Sequence, residues 1–255
     1  VGRNMSIEYL NKIYEYIKPK SKILGIKLYD SEINTKIQRK PRKKLTICQI
    51  INTARLYGWS WNVTLDNIEC ILGAIALGLK EPDESFINGD IIIKLGYVND
   101  NESAKRFIEN IPKIKDKKKG FIVGPLETLD FEPDMFIVYG NSAQMMRLIQ
   151  GVVYAMNGER LVFGTVGDCG ICGDGIANAY NTQKPKIVIP CYGERRFGHS
   201  QDDELAMVIP FKYIDKIAEG LEKTHNLGIR YPIPIAATIT ELDIPEILKI
   251  KKELL

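Results

Sequence analysis

The sequence predicts an α/β fold: a mixed sheet with helices packed on it, forming a single large domain that can divide into two lobes. Three observations predict it. Strand-like and helix-like apolar patterns alternate along the 255 residues. Residues 135–139 are apolar without a break, which suits a strand buried on both faces. A hydrophobic fraction of 45% and a charged fraction of 26% are those of a globular chain with a sizeable core.

Residues 7–17 set Ile7, Leu10, Ile13, Tyr14 and Ile17 at helical spacing, and Pro19 stops that helix. Residues 23–29 alternate as a strand, with Leu24, Ile26 and Leu28 on one face. A polar, basic stretch runs on to Lys44. Thr46 then caps a second helix, whose Ile47, Ile50, Ile51 and Ala54 share a side. Asp66 is expected to cap a third, with Glu69 in the capping-box position; it would carry Cys70 and end near Gly78. Residues 121–123 are strand-like up to Gly124-Pro125. Ser142 opens a long helix to Met156, with Ala143, Met146, Leu148, Ile149, Val152 and Val153 as its apolar side. A short strand is expected at 161–166. After the glycine-rich segment 167–175 come a short helix at 176–180, strands at 187–190 and 205–209, and helices at 211–225 and 244–255. No internal repeat or low-complexity linker divides the chain. Residues 1–4 precede Met5 and read as a tag remnant or an upstream start, so the domain is taken as 5–255.

A net charge of +3, from 35 basic against 32 acidic residues, gives no case for a general nucleic-acid binder. The basic run 113–119 contains an acid and reads as a solvated loop. No stretch reaches the roughly 18 apolar residues that span a bilayer, and there is no secretory pattern. The expected compartment is the cytoplasm, where thiols stay reduced.

Chemistry concentrates in the five cysteines: Cys48, Cys70, Cys169, Cys172 and Cys191. Cys169 and Cys172 form a C-x-x-C pair between glycines, a spacing at which two thiolates can share one metal or one cluster. Cys191 follows a strand and faces a second glycine at Gly193. Taken singly, Cys48 or Cys70 reads equally well as a small buried hydrophobe. A thioredoxin-type dithiol would open a long helix, which Gly173 and Gly175 are expected to interrupt. Zinc held by four cysteines usually uses two tight knuckles, and one is present here. A [4Fe–4S] cluster accepts dispersed ligands and is the preferred cofactor, with zinc the alternative; four positions for five thiols leave one spare. Arg195 and Arg55 are candidate cofactor-binding residues, placed to screen a negative cluster or clamp an anionic substrate, although salt bridges to Asp168, Asp174, Glu194 or Asp203 would explain them equally well. Trp59 and Trp61 suit either a pocket wall or the core.

Further stretches carry a resemblance. They are Thr46-Ile47-Cys48 with Ala54-Arg55 and Tyr57-Gly58; Cys70 with Gly73 and Leu77-Gly78-Leu79; and Gly124-Pro125-Leu126 with Pro133-Asp134. Asn141, Gln144-Met145 and Arg147-Leu148 follow, then the cysteine segment, Cys191 with Gly193-Glu194-Arg195, Glu204-Leu205 and Ile209-Pro210. Together they resemble the DUF169 family, an uncharacterised group common in archaea and anaerobic bacteria. The resemblance implies that the cysteines and Arg195 are family features; it brings no catalytic residues.

The expectation is an iron–sulfur protein, either a redox protein or a cluster-dependent enzyme acting on a small anionic substrate. Its partner would be an electron carrier or that substrate, and an amphipathic terminal helix would suit a homodimer. The alternatives are a zinc-stabilised binding or regulatory protein without catalysis, and a metal-free thiol enzyme using Cys169 and Cys172.

Overall fold

The computed structural model describes residues 3–233. The helix expected at 244–255 lies outside them. Along the chain come α1 (Arg3–Ile17), β1 (Leu24–Tyr29), α2 (Ile47–Tyr57), β2 (Trp61–Thr64) and α3 (Ile71–Ala76). Three short helices follow: α4 (Glu84–Ile87), α5 (Asp90–Lys94) and α6 (Asn101–Asn110). Next are β3 (Gly120–Pro125), β4 (Met135–Asn141) and α7 (Ser142–Ala155), then α8 (Asn178–Thr182), β5 (Lys186–Val188), α9 (Tyr192–Arg196), β6 (Glu204–Pro210) and α10 (Ile214–Asn226). The chain divides into two compact units.

The larger unit, residues 19–142 and 160–212, holds the sheet. Its strand order is β2-β3-β1-β4-β6-β5. The α/β class holds, but the sheet is not mixed: each of its five strand pairings is antiparallel. A helix between two strands does not by itself dictate a parallel return: β5 and β6 are joined through α9 alone and pair antiparallel, and the other paired strands are separated by segments that carry several elements. Register brings apolar side chains opposite one another, as in Ile26 against Val123 and Met135, and Phe136 against Ile209. One face of the sheet, from Val63 through Phe121, Ile26 and Ile137 to Val208, packs with Ile47, Ile50 and Ile51 of α2 and with Ile171 and Ile176. Residues alternating with these, such as Ile122, Phe136 and Met207, are also fully buried, so the interior strands read as unbroken apolar runs.

Three sequence expectations change here. The third helix begins not at Asp66 but at Cys70, which is the N-cap of α3. Leu65–Asn67 form a single 3-10 turn, closed by the Asn67 side chain accepting from the Thr64 N–H at 3.0 Å, and Ile68 then bridges to Leu45, so the turn does not run on into a helix before Cys70. No strand forms at 161–166, where Val162 and Phe163 are exposed and no sheet edge receives them. The glycine-rich segment is not a loop: Gly170–Ala177 winds as a wide π-type helical turn and continues into α8. β2 and the helices α4 to α6 were not anticipated from the sequence.

The described residues of the smaller unit are 3–18, 143–159 and 213–233. Within it Lys12 pairs with Glu222 at 2.9 Å, and Gln144 Nε2 donates to the carbonyls of Ile17 and Lys18. The buried side of α7 is rotated from the expected one. Gln144 and Arg147 face inward while Met146 is exposed, because the inward polar groups find carbonyl acceptors, Gln144 at the C-terminal end of α1 and Arg147 at Leu221 within α10.

Candidate functional site

The larger unit brings all five cysteines to one cavity of about 270 Å³, close to the volume of nine liquid waters at ~30 Å³ each. Thr46, Asp168, Leu95, Tyr97, Tyr192 and Phe197 complete its wall and mouth. The last four are exposed apolar or aromatic side chains, so the opening has a greasy collar.

Four of the five thiols sit where a helix begins. Thr46 caps α2, accepting from the Gln49 N–H at 3.1 Å while the Gln49 side chain accepts from the Thr46 N–H at 2.9 Å; this places Cys48 in the first turn. Cys70 caps α3, its Sγ accepting from the Gly73 N–H at 3.5 Å. Cys169 precedes the wide turn in a left-handed conformation (φ 53°), and its carbonyl accepts from Gly173 and Asp174 at 2.7 and 3.3 Å. Cys172 lies one turn on, inside that segment. Cys191 is the N-cap of α9. Helix N-termini carry unpaired N–H groups and the positive end of the peptide dipoles, an environment suited to sulfur bearing negative charge.

Glu194 fastens the two halves of the site. Its Oε2 accepts from Ile171 N–H at 2.9 Å and Cys191 N–H at 3.2 Å, and its Oε1 accepts from Tyr139 Oη at 3.3 Å. The C-x-x-C segment and the Cys191 turn are thereby tied to one buried carboxylate. A β-carbon on Gly170 would lie 2.5 Å from that carboxylate, so only glycine lets the segment come this close. Burial pushes Glu194 up to about 7, against the opposing pull of the donors it accepts from.

Electrostatics set the thiols apart from a thiol enzyme's. Burial, with the carboxylate of Asp168 and the other cysteines, drives Cys169 well above the ordinary thiol range. Cys172 is raised by its hydrogen bond with Cys48, then by burial and by charge on Cys48, Cys169 and Cys70. Burial, then Glu194 and Cys48, push Cys191 up to about 12, and Cys70 is raised by burial. Among the described residues no Lys, Arg or His lines the cavity. Without a cation these thiols stay protonated and are poor nucleophiles. A metal reverses this, because a coordinating thiol is deprotonated outright.

The two arginines are engaged elsewhere. Arg55 makes a bidentate pair with Glu204 at 2.7 and 2.9 Å, bonds Asn52, and lies 4.1 Å over the Tyr139 ring. Arg195 donates to the Gln201 carbonyl and stands 4.0 Å from Asp202. Neither is among the cavity-lining residues. Trp61 is buried and donates to Thr53 at 3.0 Å, whereas Trp59 is exposed. Glu194 and Tyr139 are the site residues that sequence reading missed. The only available signal was Glu194 three residues after Cys191, a capping-box spacing with cysteine in the cap position.

Among the described residues, no three His, Cys, Asp or Glu side chains are grouped closely enough to grip one metal ion as they stand. Nor is any helix among them long and apolar enough to cross a membrane.

Comparison with known proteins places these features in a lineage. The chain is 30% identical over 176 residues to an uncharacterised protein of the archaeon Methanocaldococcus jannaschii, covering 69% of this chain and 75% of the relative. No solved structure matches it. The family model described as uncharacterised ArCR matches residues 12–220, a span that includes the five cysteines, Tyr139 and Glu194, and the chain belongs to that family, DUF169.

Proposed function

We propose that the cavity holds a [4Fe–4S] cluster on four of Cys48, Cys70, Cys169, Cys172 and Cys191, and that the protein is a redox protein. The observation that carries this reading is the convergence of five thiols, from four separate segments, on one cavity. Such a cluster supplies one-electron transfer when bound. The chain's own residues would hold and tune it. The Gly73 N–H already donates to a cysteine sulfur, and hydrogen bonds of this kind raise the potential of thiolate-bound iron. Tyr192 and Phe197 at the mouth restrict water.

Zinc is the second reading. A tetrahedral zinc with Zn–S bonds of ~2.3 Å needs its four sulfurs only about 3.8 Å apart. The cluster is preferred because its ligands come from four separate segments, whereas a four-cysteine zinc site usually uses two tight C-x-x-C knuckles and only one is present here. With Arg55 and Arg195 bonded to other groups, electron transfer is better supported than chemistry on a clamped anionic substrate. Anaerobic purification followed by iron, acid-labile sulfide and zinc analysis tests both. About four irons and four sulfides per chain are expected; stoichiometric zinc without sulfide would establish the second reading instead.

A further inference from the structure

Residues 36–44 hold six basic side chains and no acid. All six are exposed, and among the described residues none is held in an ion pair. The segment is nonetheless fixed. The Asn62 N–H donates to the Arg39 carbonyl at 2.8 Å and its side-chain amide to the Ile37 carbonyl at 3.3 Å, which lays the segment along β2, an outer strand of the sheet. Beneath the charges is a groove of about 600 Å³, floored by Pro41, Leu45, Trp59 and Trp61 and rimmed by Arg39, Lys40, Arg42 and Lys43. The Arg39 guanidinium lies 4.3 Å over Trp59 and 4.6 Å over Trp61. Groove and thiol cavity are neighbours: Leu45 lines the first, and Thr46, Ile47 and Cys48 line the second.

We propose that this groove docks a small acidic electron-carrier protein that exchanges electrons with the thiol-cavity site. The inference rests on the cluster reading and supplies the partner it needs. An array of unpaired cations beside a redox site attracts a carboxylate-rich carrier and speeds its encounter, and such encounters use small interfaces, below ~1,200 Å². Single-stranded nucleic acid fits less well. Stacking needs open aromatic faces, and Arg39 already lies over both indoles. In the exchange the carrier loses one electron and the thiol-cavity site gains it; no bond forms or breaks and no proton moves.

The test is calorimetric titration of the anaerobically purified full chain with a bacterial two-cluster ferredoxin, at low and at physiological salt. The comparison variant is Lys40→Gln/Arg42→Gln/Lys43→Gln, which leaves Arg39 on its tryptophans. The control, Lys105→Gln/Lys115→Gln/Lys117→Gln, removes the same charge from exposed positions that do not line the groove. Binding should weaken with salt and fall at least about tenfold in the groove variant, while the control binds like the wild type and all three melt alike. Salt-independent binding, no binding, or equal loss in variant and control would overturn the proposal. So would an oligothymidylate that displaces the ferredoxin from the wild type. Iron and sulfide assays on the same samples separate the two readings. An iron-free chain with the expected binding pattern keeps the docking surface and removes the cluster; a cluster-loaded chain that ignores ferredoxin removes the docking surface alone.

Discussion

Glu194 receives three donors in a space with almost no water, and two of them belong to backbone on either side of the thiol cavity. Replacing it with alanine leaves the N–H groups of Ile171 and Cys191 buried and unpaired, at about 1–3 kcal/mol each. Glu194→Ala is expected to lower unfolding free energy by about 2–6 kcal/mol in denaturant titration and, on the proposed cluster reading, to release iron from folded protein. Glu194→Gln, which keeps one acceptor oxygen, should fall between. A metal content unchanged in folded Glu194→Ala would remove its positioning role. A second, half-buried carboxylate has a different task. Burial alone would raise Glu204, but hydrogen bonds from Arg55 and from the Gln201 N–H take it below the ordinary range. Its contribution is therefore fully present above the unfolded carboxylate value of ~4.3 and is lost as pH falls through the lower folded value. Glu204→Gln should cost about 3–5 kcal/mol at neutral pH, since it strands a buried guanidinium. The gap to wild type should narrow in acid; a gap independent of pH would contradict the pairing.

Among the elements, the wide turn Gly170–Ala177 shows how a motif can be legible while its conformation is not. Its C-x-x-C spacing and glycine content stand out in the sequence, yet they read as a loop. The glycines in fact serve close packing: a β-carbon on Gly175 would lie 2.8 Å from Val208 and 2.9 Å from Val188, inside the sheet's core. Gly175→Ala should therefore destabilise by about 1–3 kcal/mol through overpacking. Gly164→Ala, where nothing lies within 4 Å, should be neutral in the same thermal melt. The interior strands were legible because an apolar run such as Phe136, Ile137 and Val138 has few other uses. The start of α3 was not, because Asp66 and Glu69 satisfy a capping pattern that the Leu45–Ile68 bridge overrides from a distance. The four-residue β2 is too short for a periodic signal. Strand direction was lost for a related reason, since it depends on how the connections return rather than on any local pattern.

For the whole molecule, the site draws its thiols from α2, the start of α3, the wide turn and the start of α9. The number and spacing of the cysteines were legible in the sequence; convergence is a property of the fold alone. Five thiols around one cavity make a sharp expectation for serine scanning. Four of the five single Cys→Ser variants should lose most of their iron, and one should keep about four irons per chain. If all five keep their iron, the cluster lies elsewhere.

The same dispersal has a consequence during synthesis. Cys48 leaves the ribosome 143 residues ahead of Cys191. At 5–20 residues per second, the first thiol waits roughly 7–30 s for the last, and for Glu194 just behind it. A nascent chain arrested before Cys169 can offer only two of the five sulfurs. On the proposed cluster reading, loading of the site is thus a late, post-assembly event. Metal captured earlier would sit on an incomplete set, so the interval calls for thiols that are kept reduced and metal that is delivered by a donor rather than taken from free solution.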